Sequence, residues 1–456
     1  MHPERSPWVD DGNAAILTDL YQLTMLQAYW RQGMDREATF SLFFRHLPRA
    51  RNYLVACGLD EALRYLERLR FTGDSLDYLK TLDIFSRAFV DWLADFRFTG
   101  AVYAVPEGTP VFPDEPILEV VAPLPEAQLI ETFVMNQIHH QTVIASKGAR
   151  VVTAAAGRAV VDFGLRRMHG TDAGVKAARA LHVAGAVATS NVLAGKIYGL
   201  PVTGTMAHSY VQAHDDEMSA FRAFAEIYPE TVLLVDTYDT LAGIDKVVAL
   251  AKELGESFRV RAIRLDSGAL GDLAVAARHR LDEAGLQGVE IFASGGLDEH
   301  EISRLVAAGA PIDGFGVGTD MGVSCDAPVF DIVYKMSTYA GGGRLKLSAG
   351  KSTLPGRKQI FRVEEDGLAI GDVLARDREE LPGRPLLRPV MAGGERLPAG
   401  RVELAASRDR ARREIAKLPD RVRALEPCTP PYPVTVSREL ADYRQAVIDG
   451  LTGRAC

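Results

Sequence analysis

Six apolar, β-branched runs in the middle of the chain stop at residues able to do chemistry. "AVVDFG" is followed by Arg166 and Arg167, and "LPVTGT" by His208. "TVLLVDT" carries Asp236 near its end, and "VRAIRLDS" carries Arg264 and Asp266. "VEIFASGG" closes on Ser294, Gly295 and Gly296, and "IDGFGVGT" on Gly318 and Thr319. A carboxylate at a strand end can hold Mg²⁺ together with substrate phosphates, or stabilise a developing cation. Asp236 and Asp266 each end an apolar run directly, whereas Asp239 is better placed to cap a helix. The arginine fork binds carboxylate and phosphate bidentately. Strand alternation would let only one of Arg166 and Arg167 point inward.

The glycine-rich ends invite a phosphate, because glycine lets backbone N–H groups approach an anion closely. Simple turns use the same residues, but two such ends at successive late strands, with the Ser294 and Thr319 hydroxyls beside them, point to a phosphate site. No Walker motif is present, nor a GxGxxG opening a helix after a strand. His208 follows a strand-like run, has small neighbours and precedes a helix-like segment. A lone histidine is most often structural. At this position two chemical readings stand beside that one: an imidazole that carries a phosphoryl group facing helix N–H groups, and one that binds substrate phosphate.

The elements that must position these residues alternate. Between the strand-like runs lie helix-like segments, among them one continuous stretch over 172–199, one over 240–255 and one over 298–310. Such alternation predicts a parallel sheet, and strands apolar throughout predict that it is covered on both faces. A barrel gathers all its strand ends around one site, whereas an open sheet uses only those near its switch point. Six chemically loaded ends therefore predict an irregular, TIM-like α/β barrel over 146–340. The flanks, 1–145 and 341–456, predict a second, smaller α/β domain formed by both chain ends. They mix helices with short β pieces such as "ATFSLFF", and the second opens on a Gly- and Lys-rich loop over 341–361.

Composition bounds the rest. The 456 residues carry a formal charge of −8, with 47% apolar and 25% charged residues, an ordinary globular balance that argues against a general nucleic-acid or anionic-lipid binder. No apolar run is long enough to span a bilayer, and the polar start "MHPERSPWVDDG" does not read as a signal peptide. Cys57, Cys325, Cys428 and Cys456 lie far apart, so neither a zinc site nor a disulfide framework is implied. Reduced thiols in a cytoplasmic protein are expected.

The motifs "LTDLYQLTM", "DFGLRR", "ATSNVLAG", "GTMAHSYVQ", "LLVDTYDT", "RLDSG", "SGG", "GFGVGT" and "STLPGRKQ", in that order, make the chain resemble the nicotinate phosphoribosyltransferases over most of its length. The resemblance implies an irregular α/β barrel with a smaller α/β domain. It also implies that nicotinate and 5-phosphoribosyl 1-pyrophosphate are joined, giving nicotinate mononucleotide and pyrophosphate in NAD biosynthesis. Mg²⁺ would be required, and ATP hydrolysis coupled through a phosphohistidine that falls on His208. By the same resemblance Tyr21 would stack on the nicotinate ring from the neighbouring subunit of a homodimer. Thr205 and Arg264 would contact its carboxylate, and Arg167 would lie near ring and phosphates. Ser294, Gly295, Gly296, Gly318 and Thr319 would hold the sugar phosphate, and Asp236 and Asp266 would serve ribose and magnesium. Ser190 stands where nicotinamide-using relatives carry an aspartate, which would repel a carboxylate.

Two departures from the family pattern stand out. Ala269 replaces a frequent acid after "RLDSG", with Asp272 one turn further on, and the scattered cysteines exclude the zinc knuckle of some relatives. The rivals are a nicotinamide- or quinolinate-using relative and a non-catalytic pyridine-nucleotide-binding barrel. Intact Asp236, Asp266, Arg264 and His208 argue against the second. An aldolase-like barrel would need a lysine or glutamate at a strand end, and none of the six ends has one.

Overall fold

A computed structural model describes residues 8–49, 51–348, 350–401 and 403–453; the first seven residues and Cys456 lie outside this set. The chain divides into two compact units, Met1–Thr142 with Val329–Cys456, and Val143–Pro328. The unit made of both chain ends is the larger, not the smaller one expected, because the sheet strands that flank the middle unit in the sequence belong to it. Among the described residues no helix is long and apolar enough to cross a membrane, and Cys57, Cys325 and Cys428 are free thiols.

The unit built from both chain ends holds a seven-stranded sheet and a four-stranded sheet. In the first, strand Glu37–Phe44 pairs antiparallel with the central strand Leu118–Pro123 on one side and with Ile332–Tyr339 on the other. Thus the chain has returned to this unit by Ile332, before the Gly- and Lys-rich loop begins. Glu37–Phe44 is buried at every residue but the first, as a strand covered on both faces must be. In the second sheet, Lys358–Glu365 pairs antiparallel with Leu368–Arg376.

The middle unit carries the loaded strand ends. Its strands are β1 (Ala159–Asp162), β2 (Ala188–Thr189), β3 (Val232–Leu234), β4 (Ala262–Leu265), β5 (Glu290–Ser294) and β6 (Gly314–Val317). They form one sheet in the order β2-β1-β6-β5-β4-β3, parallel throughout. Ile263, Leu265, Ile291, Ala293, Phe315 and Val317 are fully buried in it; each large one stabilises the fold by roughly 1.5–3 kcal/mol. The helices between strands are α1 (Thr171–Ala184), α2 (Val192–Tyr198), α3 (His208–Gln212), α4 (Glu217–Ile227), α5 (Thr240–Leu254), α6 (Leu270–Glu283), α7 (Glu299–Ala307) and α8 (Thr319–Val323).

Two further expectations are corrected here. The continuous helix over 172–199 is broken in three. Gly185 adopts a left-handed φ of 118° and caps α1, β2 follows, and the Asn191 side chain caps α2 by accepting the Ala194 amide. Glycine past a helix end and asparagine before one are strong local signals, and they outweigh the helical periodicity. The run "LPVTGT" yields no named strand. It makes a single parallel bridge, Thr189 with Val202, because Pro201 has no N–H to donate and ladders tolerate proline poorly. The parallel sheet is therefore a curled half-barrel of six strands, with one bridge beyond β2.

Candidate active site

The C-terminal ends of the parallel strands converge on one pocket of about 510 Å³. Its walls come from the ends of β1, β2, β4, β5 and β6 and from the irregular segment before α3. Strands as far apart in the sheet as β2 and β4 reach the same space, and this is what curling the sheet accomplishes.

Arg264 is the hub. It lies on β4, and its Nε donates to Ser294 Oγ at 2.9 Å and its Nη2 to Asp266 Oδ1 at 3.0 Å. Nη1 donates to Thr205 Oγ1, and the guanidinium lies 5.8 Å from the centroid of the Phe163 ring. Ser294 Oγ also donates to Asp266 Oδ1 at 2.5 Å. Burial alone would raise the Asp266 carboxyl. The Ser294 hydroxyl, the Arg264 guanidinium and nearby His208 outweigh it and hold Asp266 below the usual carboxylate value.

His208 is the first residue of α3, after an extended Ala207. Its Nδ1 lies 3.2 Å from Thr237 Oγ1 and its Nε2 3.6 Å from Asp266 Oδ2. The side chain is 40% exposed, so the ring is held at two points and still open to the pocket.

Asp236 follows β3. Its Oδ2 accepts from the Asp266 amide at 2.9 Å and from Ser267 Oγ at 2.7 Å. Its Oδ1 is buried with no hydrogen-bond partner. Asp239 caps α5 by accepting the Ala242 amide at 2.7 Å, the role expected of it.

The glycines explain themselves by geometry. Gly295 has φ 85°, and a Cβ there would sit 1.8 Å from the Asp266 carbonyl oxygen. The loop after β5 therefore crosses the end of β4 at a distance only glycine allows. On the opposite wall, Arg167 Nη1 donates to Thr319 Oγ1 at 3.2 Å. Both Arg166 and Arg167 line the pocket, which corrects the expectation that only one would. Leu165–Arg167 is a turn of 3₁₀ helix, so the two-residue alternation of a strand does not apply.

Of the residues singled out in the sequence, His208, Asp266, Arg167, Ser190, Thr205, Arg264, Ser294, Gly295, Gly296, Gly318 and Thr319 line this one pocket. Asp236 stands behind it, against the Asp266 backbone. Tyr21 is not in its lining; it lies on helix Leu20–Gln32 of the other unit and is 48% exposed. Asp272 lies in the first turn of α6 and is not in the lining either. Sequence reasoning missed Phe163, Thr237 and Asp162. Phe163 and Asp162 stood inside the quoted "DFG", an aromatic and an acid at a strand end. Thr237 gave no signal, since its contact to His208 spans 29 residues.

Comparison with known proteins agrees with this geometry. Residues 16–139 match the model of the nicotinate phosphoribosyltransferase N-terminal domain, and residues 158–351 match that of the nicotinate phosphoribosyltransferase family. The chain belongs to the nicotinate phosphoribosyltransferase family. It is 56% identical to nicotinate phosphoribosyltransferase pncB2 of Mycobacterium tuberculosis, over 95% of this chain and 94% of that protein. It is 43% identical to the nicotinate phosphoribosyltransferase of Bacillus subtilis, over 81% and 79%. The crystal structure of human nicotinic acid phosphoribosyltransferase superposes with a TM-score of 0.83 at 28% identity, covering 95% of this chain and 99% of that one. The chain is thus an enzyme of NAD biosynthesis, a nicotinate phosphoribosyltransferase, with nicotinate and 5-phosphoribosyl 1-pyrophosphate as the substrates the family implies.

Proposed function

We propose that the pocket is where nicotinate displaces pyrophosphate from 5-phosphoribosyl 1-pyrophosphate, and that His208 carries the phosphoryl group coupling ATP hydrolysis to the transfer. The observation that carries the reading is the Arg264 hub. It places a guanidinium, two hydroxyls and a carboxylate held in its ionised form around one aromatic wall. A planar heteroaromatic acid needs these groups: a face to lie on, a cation and a hydroxyl donor for its carboxylate. The ring then directs its nitrogen toward C1 of the ribose. As the C1–O bond to pyrophosphate breaks, C1 gains positive charge, and the nearby Asp266 carboxylate stabilises it. Arg166, Arg167 and the Thr319 hydroxyl, with the glycine-rich ends at Gly295, Gly296 and Gly318, are placed to bind the sugar phosphate and the departing pyrophosphate.

A magnesium ion fits the donors present. Asp236 offers one buried carboxylate oxygen without a partner. Among the described residues no group of three or more His, Cys, Asp or Glu could hold a metal unaided. Mg²⁺ is commonly held by one or two carboxylates and completes its shell with substrate phosphates and water. When bound it would neutralise charge on the pyrophosphate. Asp236 would contribute to holding it, while Asp266, already engaged by Arg264 and Ser294, serves better as the charge facing C1.

In the phosphohistidine step a ring nitrogen of His208 attacks the γ-phosphorus, an N–P bond forms, and the P–O bond to ADP breaks. Hydrolysis of that N–P bond later returns the imidazole. The position at the start of α3 supports this, since the first N–H groups of a helix favour the added negative charge. We read the curled sheet, extended by the Val202 bridge, as an irregular barrel, and the two chain ends as a second α/β domain. Half-exposed Tyr21 supports a homodimer in which this ring serves the partner's nicotinate, and the free thiols support a cytoplasmic enzyme.

The test is one assay: nicotinate, nicotinamide and quinolinate, each with the sugar pyrophosphate and Mg²⁺, with and without ATP. Nicotinate should be turned over far best, and ATP should lower its KM. Equal use of nicotinamide would remove the carboxylate-recognition account, and indifference to ATP would remove the coupling.

A further inference from the structure

One buried carboxylate outside the reacting groups ties two walls of the pocket together. Asp162 ends β1 and is 1% exposed. Its Oδ1 accepts the Gly164 amide at 2.8 Å and its Oδ2 accepts the Thr189 hydroxyl at 2.7 Å. Its backbone carbonyl accepts the Ser190 amide at 2.8 Å. Each of these bonds leads to a pocket wall.

On one side, the Gly164 carbonyl accepts the Arg167 amide at 2.9 Å and so begins the turn that carries both arginines. The turn has no slack. A Cβ on Gly164 would come within 2.6 Å of Met168 Cε and 3.1 Å of the Gly318 carbonyl oxygen. On the other side, Thr189 Oγ1 accepts the Asn191 amide at 3.0 Å, and the Asn191 side chain caps α2 and donates to the Gly174 carbonyl at 3.2 Å. Ser190, which lines the pocket, stands between the two residues so fixed.

We propose that Asp162 is a positioning residue that sets the arginine wall and the Ser190 wall at their working separation, Oδ1 holding the first and Oδ2, through Thr189, the second. The proposal rests on the proposed function, with the arginines facing the sugar pyrophosphate and Ser190 facing nicotinate as the resemblance implies. A 1 Å error in placing either wall is enough to impair binding or rate.

The two oxygens can be separated by mutation. In Asp162→Asn the Gly164 N–H must still meet an acceptor, so the remaining oxygen stays at Oδ1 and the new NH₂ faces Thr189. Thr189 Oγ1 then loses its acceptor and the Ser190 wall loosens, while the arginine wall keeps its bond. We expect KM for nicotinate to rise about tenfold, with KM for the sugar pyrophosphate changed by less than about twofold. Thr189→Val should reproduce this split, and Thr189→Ser should restore parental values. The double variant Asp162→Asn/Thr189→Val should be no worse than Thr189→Val alone, because Thr189→Val already removes the bond that Asp162→Asn breaks. Asp162→Ala should raise both KM values.

A merely structural role predicts otherwise: a lower melting temperature, less active enzyme and no substrate-selective KM change. Folded Asp162→Asn and Thr189→Val enzymes that shift both KM values equally, or neither, or that add in combination, overturn the proposal. If Asp162→Asn does not fold, Thr189→Val and its serine rescue decide alone. A parent enzyme that does not saturate with nicotinate would overturn the pocket reading itself, an outcome distinct from a saturable parent with unselective variants.

Discussion

Two arginine–aspartate pairs, one in each unit, use the same groups to opposite ends. In the unit made of the chain ends, Arg362 and Asp372 face each other across paired strands. Arg362 donates to Asp372 through Nε at 3.0 Å and Nη2 at 2.6 Å. Tyr432 donates its hydroxyl to the same carboxylate at 2.9 Å, and its ring stacks on Phe112 at 3.8 Å. The two charged side chains are 1% and 0% exposed. In the middle unit, Arg264 and Asp266 are 13% and 29% exposed. Arg264 spends a single bond on Asp266 and turns its other donors to hydroxyls on the pocket wall. The first pair is closed to solvent, and the remaining Arg362 nitrogen, Nη1, lies 3.8 Å from the Glu414 carboxylate. The second leaves one carboxylate oxygen facing His208 and the guanidinium edge accessible to a ligand. An Arg–Asp contact is therefore no sign of function by itself; what its remaining donors and acceptors face decides.

Substitution should separate the two pairs sharply. Arg362→Ala leaves Asp372 buried and unpaired, which typically costs about 3–5 kcal/mol. We expect a large fall in melting temperature, with activity lost only in proportion to folded protein. Arg264→Ala should leave the melting temperature near the parent's and lower kcat/KM for nicotinate by about a hundredfold or more. Thermal unfolding and steady-state kinetics on both proteins check this, and matching profiles for the two variants would erase the distinction.

Ser190→Asp sharpens the functional side. An aspartate would repel the nicotinate carboxylate and accept from a nicotinamide N–H, a difference of a few kcal/mol, or about two decades in kcat/KM. The preference for nicotinate over nicotinamide should erode. Ser190 does not cap α2, since Asn191 does, so loss of helix stability would not confuse the result. An unchanged ratio in the folded variant would leave discrimination to Thr205 and Arg264.

The smallest effect lies in the sealed cluster. Burial and the neighbouring Asp372 carboxylate push the Glu115 carboxyl well above its usual value. A carboxyl raised in the folded state favours folding below its unfolded pKa, and that contribution is lost as the pH rises. Glu115→Gln keeps the shape and the acceptor for the Phe112 amide, which Glu115 Oε2 accepts at 2.9 Å, but cannot ionise. The variant should gain stability relative to the parent as the pH moves from acidic to alkaline. A constant difference across that range would show that Glu115 does not titrate with folding.

Much of the middle unit was legible in the sequence. Its β-branched runs gave five of the six parallel strands, and their polar ends gave ten residues lining one pocket, while Ser190 and Thr205 came by resemblance. What stayed hidden depended on local geometry that periodicity does not encode. The short strand at Ala188–Thr189 lay inside a helical pattern, and only Gly185 and Asn191 betrayed the break. Arg166 and Arg167 both reach the pocket because a 3₁₀ turn replaces the strand. The Asp162–Thr189 bond spans 27 residues, and a pairing that distant leaves no spacing to read. Tyr21 was placed at the nicotinate ring by resemblance alone, and it lies exposed on Leu20–Gln32 of the other unit, outside the pocket lining.

Labelling with γ-labelled ATP tests the central claim most directly. The account predicts an acid-labile, base-stable phosphoprotein whose label maps to His208. It also predicts that His208→Ala abolishes the label and the ATP effect on nicotinate KM, while some ATP-independent transfer survives. A His208→Ala enzyme that labels as well as its parent, or a parental label that maps to another residue, would contradict it.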